Sequence, residues 1–153
     1  MRNAVMILAL AAFVPAARGA DYIKDGKLTE TLVVKDVQGG FAGFTGKQWS
    51  VAPDGKWEES SVFGKKTKSL RTGSLTKKKL EDLAAELKKY DVATLKNEGK
   101  PMGANPRVVS VAWGKTTASL TLKTGAALPA KGTKDMAGRI AGVVSALEAA
   151  LKK

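Results

Sequence analysis

The chain has 153 residues with no histidine and no cysteine, and its 26 basic residues outnumber 14 acidic ones for a net charge of +12. Those absences exclude Ser-His-Asp and Cys-His nucleophile systems, His- or Cys-ligated zinc, every disulfide and a lipid-bearing cysteine anchor. Carboxylates, lysines and hydroxyls are left as candidate catalysts, and none stands at a recognisable spacing. Residues 1–19 read as a secretory signal peptide: Arg2 supplies the positive start, Ala4 to Val14 an apolar run, and Pro15 the break. Ala17 and Gly19 are the small residues expected before a cut, giving a mature start at Ala20. The run is well short of the ~20 residues that span a bilayer, so no membrane span is expected after its removal. The protein is therefore expected to be exported, periplasmic or secreted. A cysteine-free exported domain fits a bacterial setting better than an animal one.

Residues 20–153 are enough for a single domain with its own core. Without Arg2 and Arg18 they hold 24 basic and 14 acidic residues, net +10. Leu28 to Val37 is rich in Leu, Val and Thr and predicts a strand. In Gln48 to Val51, apolar Trp49 and Val51 alternate with polar residues and mark a half-buried strand. Pro53-Asp54-Gly55 then makes a tight turn that sets Val51 opposite Trp57, and the return strand runs to about Phe63. Thr76 is expected to cap a helix, with Leu75 and Leu80 as a hydrophobic staple. Leu80, Leu83, Ala84 and Leu87 form its apolar stripe. The helix fades near Tyr90, and Asp91 to Pro106 reads as a long loop.

Arg107 to Lys123 reads as a hairpin. Val109, Val111 and Trp113 alternate with smaller or polar residues, as do Ala118, Leu120 and Leu122. A two-residue turn at Gly114-Lys115 pairs Val111 with Ala118 and Val109 with Leu120. Thr133 is expected to cap a second helix carrying Met136, Ile140, Val143, Val144, Leu147 and Leu151. The expected fold is α+β: an antiparallel sheet of about five strands, order β-β-β-α-β-β-α, with two helices packed on one face.

Gly39-Gly40-Phe41-Ala42-Gly43-Phe44-Thr45-Gly46 is the most unusual stretch. Glycine-rich loops after strands often cradle phosphate, but this one lacks the glycine spacing of a dinucleotide fingerprint. Five residues separate Gly40 from Gly46, and Lys47 is followed by Gln48, so it is no P-loop. Read by itself, it is evenly divided between a bulged connection whose phenylalanines fold inward and a surface that touches another molecule. Lys65, Lys66, Lys68, Arg71, Lys77, Lys78 and Lys79 form a basic run without an acid. It reads first as a solvated face and second as a polyanion grip, in which Lys65, Lys66, Lys68 and Arg71 are the candidate anion-binding residues. No aromatic is interleaved for base stacking, and no nucleic-acid partner is expected. Glu58 and Glu59 fall on opposite strand faces, while Asp82 and Glu86 share the solvent side of a helix. Neither pair supports acid–base catalysis. The chain reads as a non-enzyme needing no cofactor and no metal.

Gly39-Gly40-Phe41-Ala42-Gly43, set between two strands, resembles the motif of emfourin-like proteins, small inhibitors of thermolysin-like metallopeptidases such as protealysin. The likeness extends loosely over the helix after Leu75-Thr76, the following hairpin and the C-terminal helix. The export signal and the basic stretch at 64–79 are departures from that pattern. The resemblance implies a thermolysin-like metallopeptidase as partner, met by Gly39, Gly40, Phe41, Ala42, Gly43 and Phe44. The alternative is a non-catalytic periplasmic or extracellular binding module for another partner, using the same loop or the basic face, with an anionic surface or polymer as the partner class for the basic face.

Overall fold

A computed structural model of the chain describes residues 21–100 and 103–152; the expected signal peptide lies outside them. The fold is α+β, built on a six-stranded antiparallel sheet. A small hairpin comes first, β1 (Ile23–Lys24) and β2 (Lys27–Leu28), turned by Asp25 and Gly26 in the left-handed region. The sheet comprises β3 (Leu32–Gln38), β4 (Thr45–Val51), β5 (Lys56–Phe63), β6 (Lys66–Ser74), β7 (Arg107–Trp113) and β8 (Thr116–Leu122). Their spatial order is β6-β5-β4-β3-β7-β8. The helices are α1 (Lys77–Lys89) and α2 (Met136–Leu151).

Register decides which residues face the helices. Leu32, Val51, Trp57 and Gly73 lie in one row across β3 to β6, with Trp113 completing it on β7. The next row holds Val34, Trp49, Glu59, Arg71, Val111 and Ala118. Apolar members of these rows pack with Leu80, Leu83, Ala84 and Leu87 of α1 and with Ile140, Val143, Val144 and Leu147 of α2. Fully burying each such aliphatic side chain contributes about 1.5–3 kcal/mol before entropy is charged against it. Both helices therefore cover one face of the sheet.

The expected hairpins have the observed registers: Val51 pairs with Trp57, Val111 with Ala118 and Val109 with Leu120. Thr76 caps α1, accepting a bond from the Lys79 backbone N–H. Four expectations need correction. The sheet has six strands rather than five, because Lys66–Ser74 is a strand rather than a basic loop. The first sheet strand begins at Leu32, since Leu28 belongs to the preceding small hairpin. Asp135, not Thr133, caps α2, its carboxylate accepting from Gly138 N at 2.6 Å. The stretch from Asp91 is no plain loop: it holds a 3-10 turn at Val92–Thr94, with Val92 and Leu95 buried.

Candidate functional site

Strands β3 and β5 run towards the same end of the sheet, and β4 and β6 run away from it. That end carries two connections, residues 39–44 and the turn at Gly64-Lys65. They touch: Gly64 N donates to the Phe44 carbonyl at 2.7 Å. A Cβ on Gly43 would stand 3.4 Å from Gly64 Cα, so the two backbones lie in van der Waals contact. The glycine loop and the tip of the basic hairpin, read separately from sequence, form one surface.

Within the loop the residues divide their work. Gly39 N donates to the Pro106 carbonyl at 2.8 Å, and a Cβ there would press on Asn105 and Pro106 backbone at 3.2 Å. Gly39 thus anchors the loop to its neighbour. Gln38 reinforces that anchor, donating to the Asn105 carbonyl and accepting from Gly125 N. Gly43 N bonds back to the Gly40 carbonyl at 3.0 Å, closing a tight turn, and Gly43 takes the φ of +94° that favours glycine. Phe41 and Ala42 occupy the apex. Phe41 is fully exposed and Phe44 is 41% exposed. The inward-folded alternative for Phe41 is thereby excluded.

A third ring joins them. Phe63, 60% exposed, ends β5 opposite Thr45. It sits on the same sheet face as Trp57 and Glu59, but beyond the helices. Its position on that alternating face was visible in the sequence; its place outside the core was not. Three exposed phenylalanines at one end are unusual for a surface that otherwise repels association.

Lys65, Lys66 and Lys68 are exposed, and none makes an ion pair among the described residues. Arg71 differs. Its Nε donates to Glu59 Oε2 at 2.8 Å, and a second donor, Nη2, reaches the same oxygen. Lys47 Nζ holds Glu59 Oε1 at 2.8 Å. Glu59 is only 2% exposed, and it was missed in the sequence because its partners lie on neighbouring strands. The Lys47 hydrogen bond holds its carboxyl below the usual carboxylate range, against the opposing effect of burial and with help from Arg71. Arg71, the fourth candidate anion-binding residue, is thus ion-paired with Glu59 while its side chain stays 65% exposed.

Two other charges at this end, Arg107 and Asp36, are committed to each other. Arg107 grips Asp36 through Nε at 2.9 Å and Nη2 at 2.5 Å, and donates from Nη1 to the Ala126 carbonyl. This bidentate pair raises the guanidinium's pKa despite partial burial. Glu58 points to the other face, where Ser60 Oγ donates to it at 2.9 Å. Among the described residues no three His, Cys, Asp or Glu side chains converge as metal ligands would. What the arrangement offers is an apolar tip of three rings beside unpaired lysines. No protein-family model and no curated protein matches the chain.

Proposed function

We propose that the protein is an exported, non-catalytic inhibitor of a thermolysin-like metallopeptidase, which it blocks by seating its aromatic tip in the active-site cleft. The reading is supported above all by Phe41, wholly exposed at the apex of the turn closed between Gly40 and Gly43. The resemblance of Gly39 to Gly43 to the emfourin-like motif names the partner class. Such enzymes bind extended peptide and prefer a large apolar side chain just past the scissile bond. A phenylalanine held out on a preformed turn offers that side chain at little conformational cost. Phe44 and Phe63 would widen the buried apolar area around it.

The carboxylates nearest the tip, Asp36 and Glu59, are held by Arg107, Lys47 and Arg71, which supports a binding role over an acid–base one. A second reading is a periplasmic or extracellular binding module for an anionic partner, favoured by the unpaired Lys65, Lys66 and Lys68.

Inhibition of a panel of thermolysin-like peptidases by the purified chain tests the proposal. Truncating an anchor ring of this kind costs ~2 kcal/mol or more at a hot spot, roughly a thirtyfold loss of affinity. Phe41→Ala is expected to show that loss with its fold intact. No inhibition by the parent chain across the panel, or equal inhibition by Phe41→Ala, rejects the reading.

A further inference from the structure

The two edges of the sheet are finished differently. Along β8 the chain covers its own edge: Glu98 N donates to the Ser119 carbonyl at 2.7 Å and Thr121 N to the Glu98 carbonyl at 3.0 Å. Asn97 Oδ1 adds to this by accepting from Ser119 N at 2.9 Å. Gly99 permits the close approach, since a Cβ there would stand 2.5 Å from the Thr121 carbonyl oxygen. At the opposite edge, β6 pairs with β5 alone among the described residues. Eight of its nine residues are exposed, leaving a row of outward backbone donors and acceptors.

The side chains on that edge select among occupants. Lys66 pairs with Phe63 and Lys68 with Ser61, so both lysines project from one face of the strand, two residues apart. Leu70 is the extra residue of a bulge between the Ser60–Ser69 and Glu59–Arg71 pairs. The bulge places Arg71 on the lysine face, where Glu59 neutralises it, and it interrupts the regular edge beyond Ser69. The free pairing stretch is therefore Lys66 to Ser69, next to the aromatic tip. A second copy of this strand would bring lysine towards lysine, which opposes self-pairing. An acidic strand meets the reverse condition.

We propose that β6 is a docking edge for an extended acidic polypeptide segment, which adds to the sheet at Lys66–Ser69 with carboxylates at alternate positions facing Lys66 and Lys68. Main-chain hydrogen bonds supply the pairing and the two ammonium groups supply selection, as in strand addition at other open edges. The pairing uses the strand edge and not the Phe41 apex, so it stands whether or not the chain inhibits a peptidase.

The test uses a capped octapeptide of alternating Glu and Thr and the isotope-labelled chain, followed by amide shifts and hydrogen exchange. The expected result is slowed exchange at outward amides within residues 66–69. The same peptide methylated on the backbone nitrogens that pair, its charge unchanged, is expected to bind at least tenfold more weakly. Lys66→Gln/Lys68→Gln is expected to lose binding tenfold or more at low salt with no change in thermal midpoint. Equal binding of the methylated peptide would reduce the interaction to charge adsorption and overturn strand addition. Absence of binding would overturn the edge as a docking site, and concentration-dependent dimers with protected β6 amides would make a second copy the occupant instead.

Discussion

Glu59 has the least ordinary environment of any charged side chain described. It is buried at one end of the core rows, and both of its carboxylate oxygens are held by cations, from Lys47 on β4 and Arg71 on β6. Those cations are themselves half or more exposed, at 53% and 65%. Removing the carboxylate lets them return to water, so the loss falls below that of a fully buried pair. Glu59→Gln is expected to cost about 1–3 kcal/mol at neutral pH, read from urea midpoints. The folded carboxyl titrates below its unfolded value of about 4.3. Its contribution is therefore complete above that value and fades as pH falls through the lower folded one. The gap between parent and variant should narrow as pH falls below about 4.3 and close beneath the lower folded value, and a gap that never narrows would assign the effect to packing rather than charge. None of this was legible in the residues around Glu59. The pair depends on β6 being a strand and on the bulge at Leu70, and neither has a periodic signature.

Elements with an apolar stripe were legible, and β6, which has none, was not. Strand β6 buries no side chain, so Lys66–Ser74 lacks the alternation that identified β4, β7 and β8. Gly73, which weakens any strand reading, is explained by tertiary contact: the Trp57 ring lies across it, 2.7 Å from where a Cβ would stand. The helices were legible singly, but their mutual finish was not. Arg139 of α2 donates to the Tyr90 carbonyl at 2.9 Å and the Asp91 carbonyl at 2.7 Å, closing the C-terminal end of α1. Lys79 of α1 donates to the Ala150 carbonyl at 3.1 Å, closing the end of α2. Each antiparallel helix thus caps the other with a cation, which also suits the helix dipoles. Between these clasps, Gly142 of α2 lies against the Tyr90 ring so closely that a Cβ would overlap it. In an exposed helix, Gly→Ala stabilises by roughly 1 kcal/mol. Here overpacking should reverse the sign, and Gly142→Ala is expected to destabilise by about 1–3 kcal/mol in denaturant unfolding. A stabilised variant would mean that Tyr90 moves aside without penalty.

Across the whole molecule, the core and the aromatic tip are separate bodies of apolar surface. The helices cover the rows through Leu32 and Val34, and Phe41, Phe44 and Phe63 have no part in the packed core. The sequence made the core legible because periodicity reports burial. It left the loop phenylalanines open between two roles, because a residue outside a periodic element carries no information about its face. The separation predicts a dissociation between stability and association. Val111 is 1% exposed at the centre of the sheet, and Val111→Ala is expected to cost about 2 kcal/mol. For a domain of this size that lowers the melting temperature by roughly 6–10 °C. Replacing all three tip phenylalanines with alanine opens no cavity in the packed core, so the effect should stay within about 0.5 kcal/mol at Phe41 and Phe63 and about 1 kcal/mol at the more covered Phe44. The triple variant should also lose retention on a weakly apolar chromatography matrix that the parent chain and Val111→Ala both retain. Melting curves and retention measured side by side on the three proteins decide the matter. A fall in melting temperature for the triple variant comparable with that of Val111→Ala would make the rings part of the fold's support, leaving the tip no surplus apolar surface for a partner.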